Sequence, residues 1–199
     1  MNRTLLNTLL FSACLAVGVN VAQAAGTTAL DLTVKTTITT GTCTAQVMDG
    51  STETNTIAIG NASIAEVIQK LKTKSFKVRF SNCAGLPNSK ALLTINKRSG
   101  GCAGGSSNDA EFANSSTSAS KASAVALELW SGSTPGGADG VQFNCYSPVA
   151  QEIDVSTATG ATNVDYPLSA RLMKPAGKDD SAVTAGDFVA QTVFTIDYQ

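Results

Sequence analysis

Apolar and polar positions alternate with period two along the final stretch of the chain, GDFVAQTVFTIDYQ, residues 186–199. Phe188, Ala190, Thr192, Phe194, Ile196 and Tyr198 share one parity; Asp187, Val189, Gln191, Val193, Thr195, Asp197 and Gln199 share the other. Alternation built from β-branched and aromatic residues predicts a half-buried strand over 187–198. The stretch lacks proline, so every backbone N–H is free to join a ladder, and Gly186 stands where a strand would begin after a turn. As the closing strand it is expected to keep one edge open, and an open edge recruits a partner strand.

A second alternating stretch lies near the other end. Leu30, Leu32, Val34, Thr36 and Ile38 fall on one face, and Asp31, Thr33, Lys35, Thr37 and Thr39 on the other. The alternation predicts a strand, which read by itself is the first strand of the domain, although a segment at a mature terminus is frayed unless tied down.

Between the ends, the pattern predicts short strands at 56–60, 74–83, 91–98, 124–130, 141–146, 151–156 and 163–173. In 74–83, Phe76, Val78 and Phe80 point inward and Lys77 and Arg79 outward. Tyr166-Pro167 within 163–173 predicts a bulge or a sheet edge. One stretch breaks the β pattern. Ile64, Val67, Ile68 and Leu71 have helical spacing, and Ser63 with Glu66 makes a capping box, which predicts a short amphipathic helix. Residues 99–123, rich in Gly, Ser, Ala and Asn, read as a long irregular segment pinned by Cys102. Residues 131–140 hold the turn Pro135-Gly136-Gly137, and 175–185 read as a loop. This succession of short strands and polar turns predicts an all-β domain.

Composition changes the picture at the amino end. Residues 1–24 carry Arg3, a broken apolar stretch over 5–21 and the A-x-A site Ala22-Gln23-Ala24, the marks of an export signal removed on processing. The rival reading, a lipoprotein box at Phe11-Ser12-Ala13-Cys14, has Phe11 where leucine is usual. The apolar core is too short and interrupted to span a membrane. The remaining chain of about 175 residues suffices for one well-buried domain. It keeps Cys43, Cys83, Cys102 and Cys145, an even number that in an exported protein reads as two disulfides with three connectivities open. No close pair such as C-x-x-C offers a metal site.

The chemistry of catalysis has little to work with. The chain has no histidine, so a Ser-His-Asp triad, a Cys-His pair and a His-ligated metal are excluded. No nucleotide or nucleophile-elbow motif occurs. Ser118-Ala119-Ser120-Lys121 matches S-x-x-K without its companion K-T-G. A net charge of −1 argues against nucleic acid. Lys70, Lys72, Lys74, Lys77 and Arg79 divide over a helix and a strand and read as a solvated face. Asn61-Ala62-Ser63 and Asn114-Ser115-Ser116 fit the glycosylation sequon. No enzyme, cofactor or metal is expected.

The glycine at 186, the alternating apolar positions after it and the penultimate Tyr198 resemble the closing strand of chaperone–usher fimbrial subunits, the pilins. The cysteine contexts Gly41-Thr42-Cys43 and Phe80-Ser81-Asn82-Cys83 resemble the first pilin disulfide. The resemblance implies an incomplete immunoglobulin-like β-sandwich lacking one strand. It implies the disulfides Cys43–Cys83 and, with it, Cys102–Cys145. Residues 1–24 are then the signal peptide, 25–42 an N-terminal donor-strand extension and 43–199 the pilin domain. In the extension, Leu30, Leu32, Val34, Thr36 and Ile38 would enter a neighbour, with Thr36 where glycine is common. Gly186, Phe188, Phe194, Ile196 and Tyr198 would line the acceptor groove and the chaperone contact. The implied partners are other fimbrial subunits, a periplasmic chaperone and an outer-membrane usher, with no nucleic acid and no stable membrane insertion. The implied destination is a fimbrium on the bacterial surface, reached through the periplasm and serving adhesion. The alternative is a single-domain minor or tip subunit that itself binds a receptor or carbohydrate.

Overall fold

A computed structural model describes residue 36 and residues 41–104, 110–138 and 140–199. Leu30, Leu32, Val34 and Ile38 lie outside the described residues; Thr36 is exposed and belongs to no helix or strand. The signal segment and most of the extension are likewise outside.

The strands are β1 (Thr42–Asp49), β2 (Thr52–Glu53), β3 (Thr73–Ala84), β4 (Lys90–Ser99), β5 (Phe112–Ala113), β6 (Ala126–Ser131), β7 (Gln142–Phe143), β8 (Gln151–Asp154), β9 (Val164–Met173) and β10 (Gln191–Tyr198). They form two antiparallel sheets. The larger runs β2-β1-β3-β9-β6-β5, with β7 also on β6; the smaller runs β10-β4-β8. Inward residues of both sheets share one core. Phe76, Val78 and Phe80 of β3, Leu93 and Ile95 of β4, Leu127 and Leu129 of β6, and Leu168 and Leu172 of β9 are all buried. In β3 and β4 burial falls on every second residue, as a pleated strand with one wet face dictates, whereas β6 and the second half of β9 are buried on both faces. The result is an all-β, immunoglobulin-like sandwich in which one edge of the small sheet, β10, has no partner strand among the described residues.

Two disulfides staple it. Cys43–Cys83 joins β1 to β3, and Cys102–Cys145 joins the segment after β4 to the segment after β7. Beside the first bridge, a Cβ on Gly41 would overlap the backbone of Gly85 and Leu86, so two chain segments pass there at a distance only glycine permits.

The helix α1 (Ile64–Ile68) has both halves of its capping box: Ser63 Oγ accepts from Glu66 N, and Glu66 Oε2 accepts from Ser63 N at 2.7 Å. Val67 is buried beneath it, but Leu71 is 63% exposed, contrary to the helical spacing. The helix stops early because Lys70 takes a left-handed φ of 57° and turns the chain toward β3.

Four other expectations are corrected. Residues 56–60 form no ladder. Pro167 sits inside central β9, opposite Lys77 without a bulge. Its carbonyl accepts from Gly132 N, past the last β6 pair at Ser131 and Leu168. A residue's N and C=O point to the same side of a strand, so the missing N–H faces where β6 has ended and no ladder bond is lost. The strand expected at 141–146 shrinks to Gln142–Phe143, because Asn144 Oδ1 accepts from Tyr146 N and Ser147 N and turns the chain. The irregular segment 99–123 contains β5, which pairs with β6.

Of the five cations expected on a solvated face, Lys70, Lys74, Lys77 and Arg79 are paired. Lys74 meets Asp49, and Lys77 and Arg79 share Asp165. Lys70 reaches the buried Glu128, which also accepts from Arg171 and Trp130.

Candidate functional site: an open groove beside the closing strand

The free edge of β10 borders a groove of about 980 Å³. One wall is residues 186–192 with Phe194; the other is residues 55–64. Val47, Phe76, Leu127, Leu129, Ala170 and Leu172 lie between them. These are core positions of the large sheet, so the groove opens onto the interior of the sandwich. Phe76, Leu127, Leu129, Ala170 and Leu172 keep only 3–8% of their surface exposed, so the groove is a narrow opening onto packed core side chains.

Both walls present backbone groups that no ladder uses among the described residues, although Thr54 Oγ1 engages both the N–H and the C=O of Thr56 and Gly60 turns at a φ of 77°. Along β10, Thr192, Phe194, Ile196 and Tyr198 are half-buried and Val193, Thr195 and Asp197 exposed, so the parity seen in the sequence holds. In the opposite wall Ile57 and Ile59 pack against the core while Thr56, Ala58 and Gly60 are exposed. That alternation is a strand pattern, yet no strand pairs with it among the described residues. The failure of the 56–60 expectation is thus a missing partner.

Gly186, Phe188 and Phe194 line the groove. Ile196 and Tyr198 pack inward further along β10. The Tyr198 hydroxyl donates to the Cys43 carbonyl at 3.2 Å, tying the closing strand to β1 beside the first disulfide. Partial burial raises the phenol's pKa. Phe194 meets Phe76 across the two sheets.

At the groove's far end the ladder changes character. β10 begins at Gln191, not at 187, because 187–189 bond to the segment 114–122 and not to β4. Gly186 lies against that segment, where a Cβ would overlap Ser120 O and Ala122 N; its φ of 151° also suits glycine. Ser120 Oγ donates to the Asp187 carboxylate at 3.0 Å. Hydrogen bonds from Ser118 and Ser120 hold the pKa of Asp187 below the usual carboxylate value. The S-x-x-K look-alike is therefore a structural bracket at the end of the groove. Asn114, 6% exposed, has its amide committed to backbone partners, which is no setting for a glycan. Its role was not legible in the sequence; an Asn between Ala113 and Ser115 in a polar segment carries no periodic signal.

Comparison with known proteins gives one consistent family. Residues 30–199 match the family "Fimbrial protein". The chain is 45% identical over 175 residues to "Uncharacterized fimbrial-like protein YadL" of Escherichia coli (strain K12), covering 87% of this chain and 86% of that one. Among solved structures it is similar to the P pilus rod subunit PapA, at 18% identity and a TM-score of 0.48, over 79% of this chain and 99% of that chain. It is also similar to the CupB6 tip adhesin from Pseudomonas aeruginosa, at 17% identity and a TM-score of 0.42, over 62% of this chain and 29% of that chain.

Proposed function

This chain belongs to the fimbrial protein family and is a structural subunit of a chaperone–usher fimbria, not an enzyme; from that premise we propose that it polymerises by donor-strand exchange through the groove beside β10. The observation that carries the proposal is the unpaired edge of β10 above an apolar floor. An incoming strand would hydrogen-bond to that edge and place alternate apolar side chains on the floor. The donor is the extension of the next subunit, residues 25–42, through Leu30, Leu32, Val34, Thr36 and Ile38; residues 1–24 direct export and are removed, and 43–199 form the accepting domain. In the periplasm a chaperone lends the strand first, against Gly186, Phe188, Phe194, Ile196 and Tyr198. At the outer-membrane usher the neighbour's extension replaces it, and the finished fimbrium supports adhesion. No nucleotide is required, because replacing a loosely packed groove by a well-packed core supplies the driving free energy.

Deleting residues 25–36 tests this. The truncated chain is expected to fold, form both disulfides and bind its chaperone, but to end assembly because it has no strand to give. A synthetic peptide of residues 25–40 is expected to bind and stabilise a groove-open subunit, and a Val34→Asp version is not. Loss of fold on truncation together with no peptide binding would overturn the proposal, since the segment would then be this domain's own strand.

A further inference from the structure

Resting on the strand-accepting reading, we propose that Asn114 is a positioning residue that lengthens the accepting edge beyond the end of β4. The edge then runs from Phe188 to Tyr198.

The argument begins with strand parity. Gln199 N donates to Lys90 O and Lys90 N to Gln199 O, so Gln199 and Lys90 form a hydrogen-bonded pair. In an antiparallel strand the backbone groups of successive residues point to opposite edges. The odd-numbered residues of β10 therefore face β4, and Thr192, Phe194, Ile196 and Tyr198 turn their N–H and C=O groups to the free edge. Pairing with β4 reaches Gln191 opposite Ser99, where the irregularity skips Arg98 and leaves the parity of β10 unbroken.

Beyond Ser99 the chain before β10 has lost its neighbour. An unsupported continuation would keep no defined direction, and the edge would end at Thr192. Backbone supplies part of the missing neighbour, since Asp187 N donates to Ser120 O and Ala122 N donates to Asp187 O; Asn114 supplies the rest from its side chain. Its Nδ2 donates to the Asp187 carbonyl at 2.8 Å and to the Ala122 carbonyl at 3.0 Å; its Oδ1 accepts from Val189 N at 3.1 Å and from Ser116 N at 3.0 Å. Two donors and two acceptor positions are all in use. Ser115 adds a backbone hydrogen bond to the Val189 carbonyl. These bonds engage the odd residues Asp187 and Val189 on the side where β4 would have been. By the same parity, Phe188 and Ala190 present their backbone groups on the groove side, in line with Thr192. One buried amide, together with the backbone bonds of Ser115, Ser120 and Ala122, thus stands where a strand would have been, and it can do so because an Asn side chain carries the same donor and acceptor pair as a peptide unit. The Gly186 contact with Ser120 and Ala122 keeps the two segments close enough for the amide to span them.

The test uses the mature chain and three synthetic peptides: residues 25–40, 29–40 and 25–36. Amide exchange in the free chain is expected to show Val189 protected and Phe188 and Ala190 open. Peptide 25–40 is expected to protect Phe188 and Ala190 along with the even residues of β10. Trimming it from one end should release those two amides and weaken binding about tenfold, the value of one or two net hydrogen bonds. Asn114→Ala is expected to bind that trimmed peptide as the wild type does, yet to gain nothing from the longer one. If the long peptide binds while Phe188 and Ala190 stay open, or if Asn114→Ala shows the full gain, the role of Asn114 is overturned and the groove stands. If no peptide binds the wild type, the strand-accepting reading falls and this inference with it. Should Asn114→Ala fail to fold, the wild-type exchange pattern decides: open Val189 overturns the role, protected Val189 with peptide-protected Phe188 and Ala190 supports it.

Discussion

Phe76 of β3 and Phe194 of β10 meet edge to face across the sandwich, ring centroids 6.5 Å apart and planes inclined at 69°. Both rings line the groove, so this pair joins the two sheets beside the edge of β10 that has no partner among the described residues. A double-mutant cycle of Phe76→Ala and Phe194→Ala is expected to give a coupling of about 0.5–1.5 kcal/mol by urea denaturation. A coupling indistinguishable from zero would show the rings to be independent. Phe194→Asp is expected to lower periplasmic abundance and chaperone capture, because a charge on this apolar face costs several kcal/mol unless paired; wild-type levels in that variant would count against the role of β10.

Gly186 is expected to tolerate no side chain. Alanine there meets the backbone of Ser120 and Ala122 and must adopt a φ near that of the glycine, 151°. Gly186→Ala is expected to lose about 1–3 kcal/mol, the range for a residue held in a disfavoured backbone region. Thermal denaturation measures it. A melting temperature equal to the wild type would mean that the contact between 186 and 120–122 is absent in solution.

Acid is expected to weaken the outer face of the large sheet. Hydrogen bonds from Arg79, with those from Lys77, outweigh the burial cost and bring the pKa of Asp165 from 3.8 down to about 2. A folded-state pKa below the unfolded one stabilises the fold above the unfolded value, and that stability is lost as pH falls from about 4 to about 2. The pair is partly solvated, so its contribution is held to about 1 kcal/mol or less. Asp165→Asn should therefore be less stable than the wild type at pH 6, with the difference shrinking as pH falls toward 2, as read from urea midpoints. For Glu128 burial raises the pKa, but bonds from Lys70, Arg171 and Trp130 outweigh it and leave it lowered, which acts in the same direction.

The cysteines give a chemical check on the chain path. Peptide mapping of the unreduced protein is expected to return Cys43–Cys83 and Cys102–Cys145. Each closes a loop of about forty residues, so replacing both members of one bridge with serine is expected to cost about 2–5 kcal/mol. A Cys43–Cys102 or Cys83–Cys145 linkage would contradict the pairing of β1 with β3.

What the sequence by itself determined is whatever repeats at short range. The parity of β10, the inward Phe76, Val78 and Phe80 and the capping box of Ser63 and Glu66 all survive in the structure, because pleat and helix geometry are set by neighbours a few residues apart. The tertiary structure decided what depends on a distant partner. Residues 56–60 have a strand's pattern but no strand's bonds, since a ladder needs a second chain segment and none pairs with them among the described residues. Pro167 reads as an edge residue and sits in a central strand, because only the position where β6 ends shows that its missing N–H costs nothing. Asn114, in a segment of small polar residues, became visible only when the fold brought Asp187 and Val189 to its amide, more than seventy residues along the chain. Local alternation chooses the face of a strand; which edges find partners, and which one stays open, is settled by how the two sheets close over a shared core.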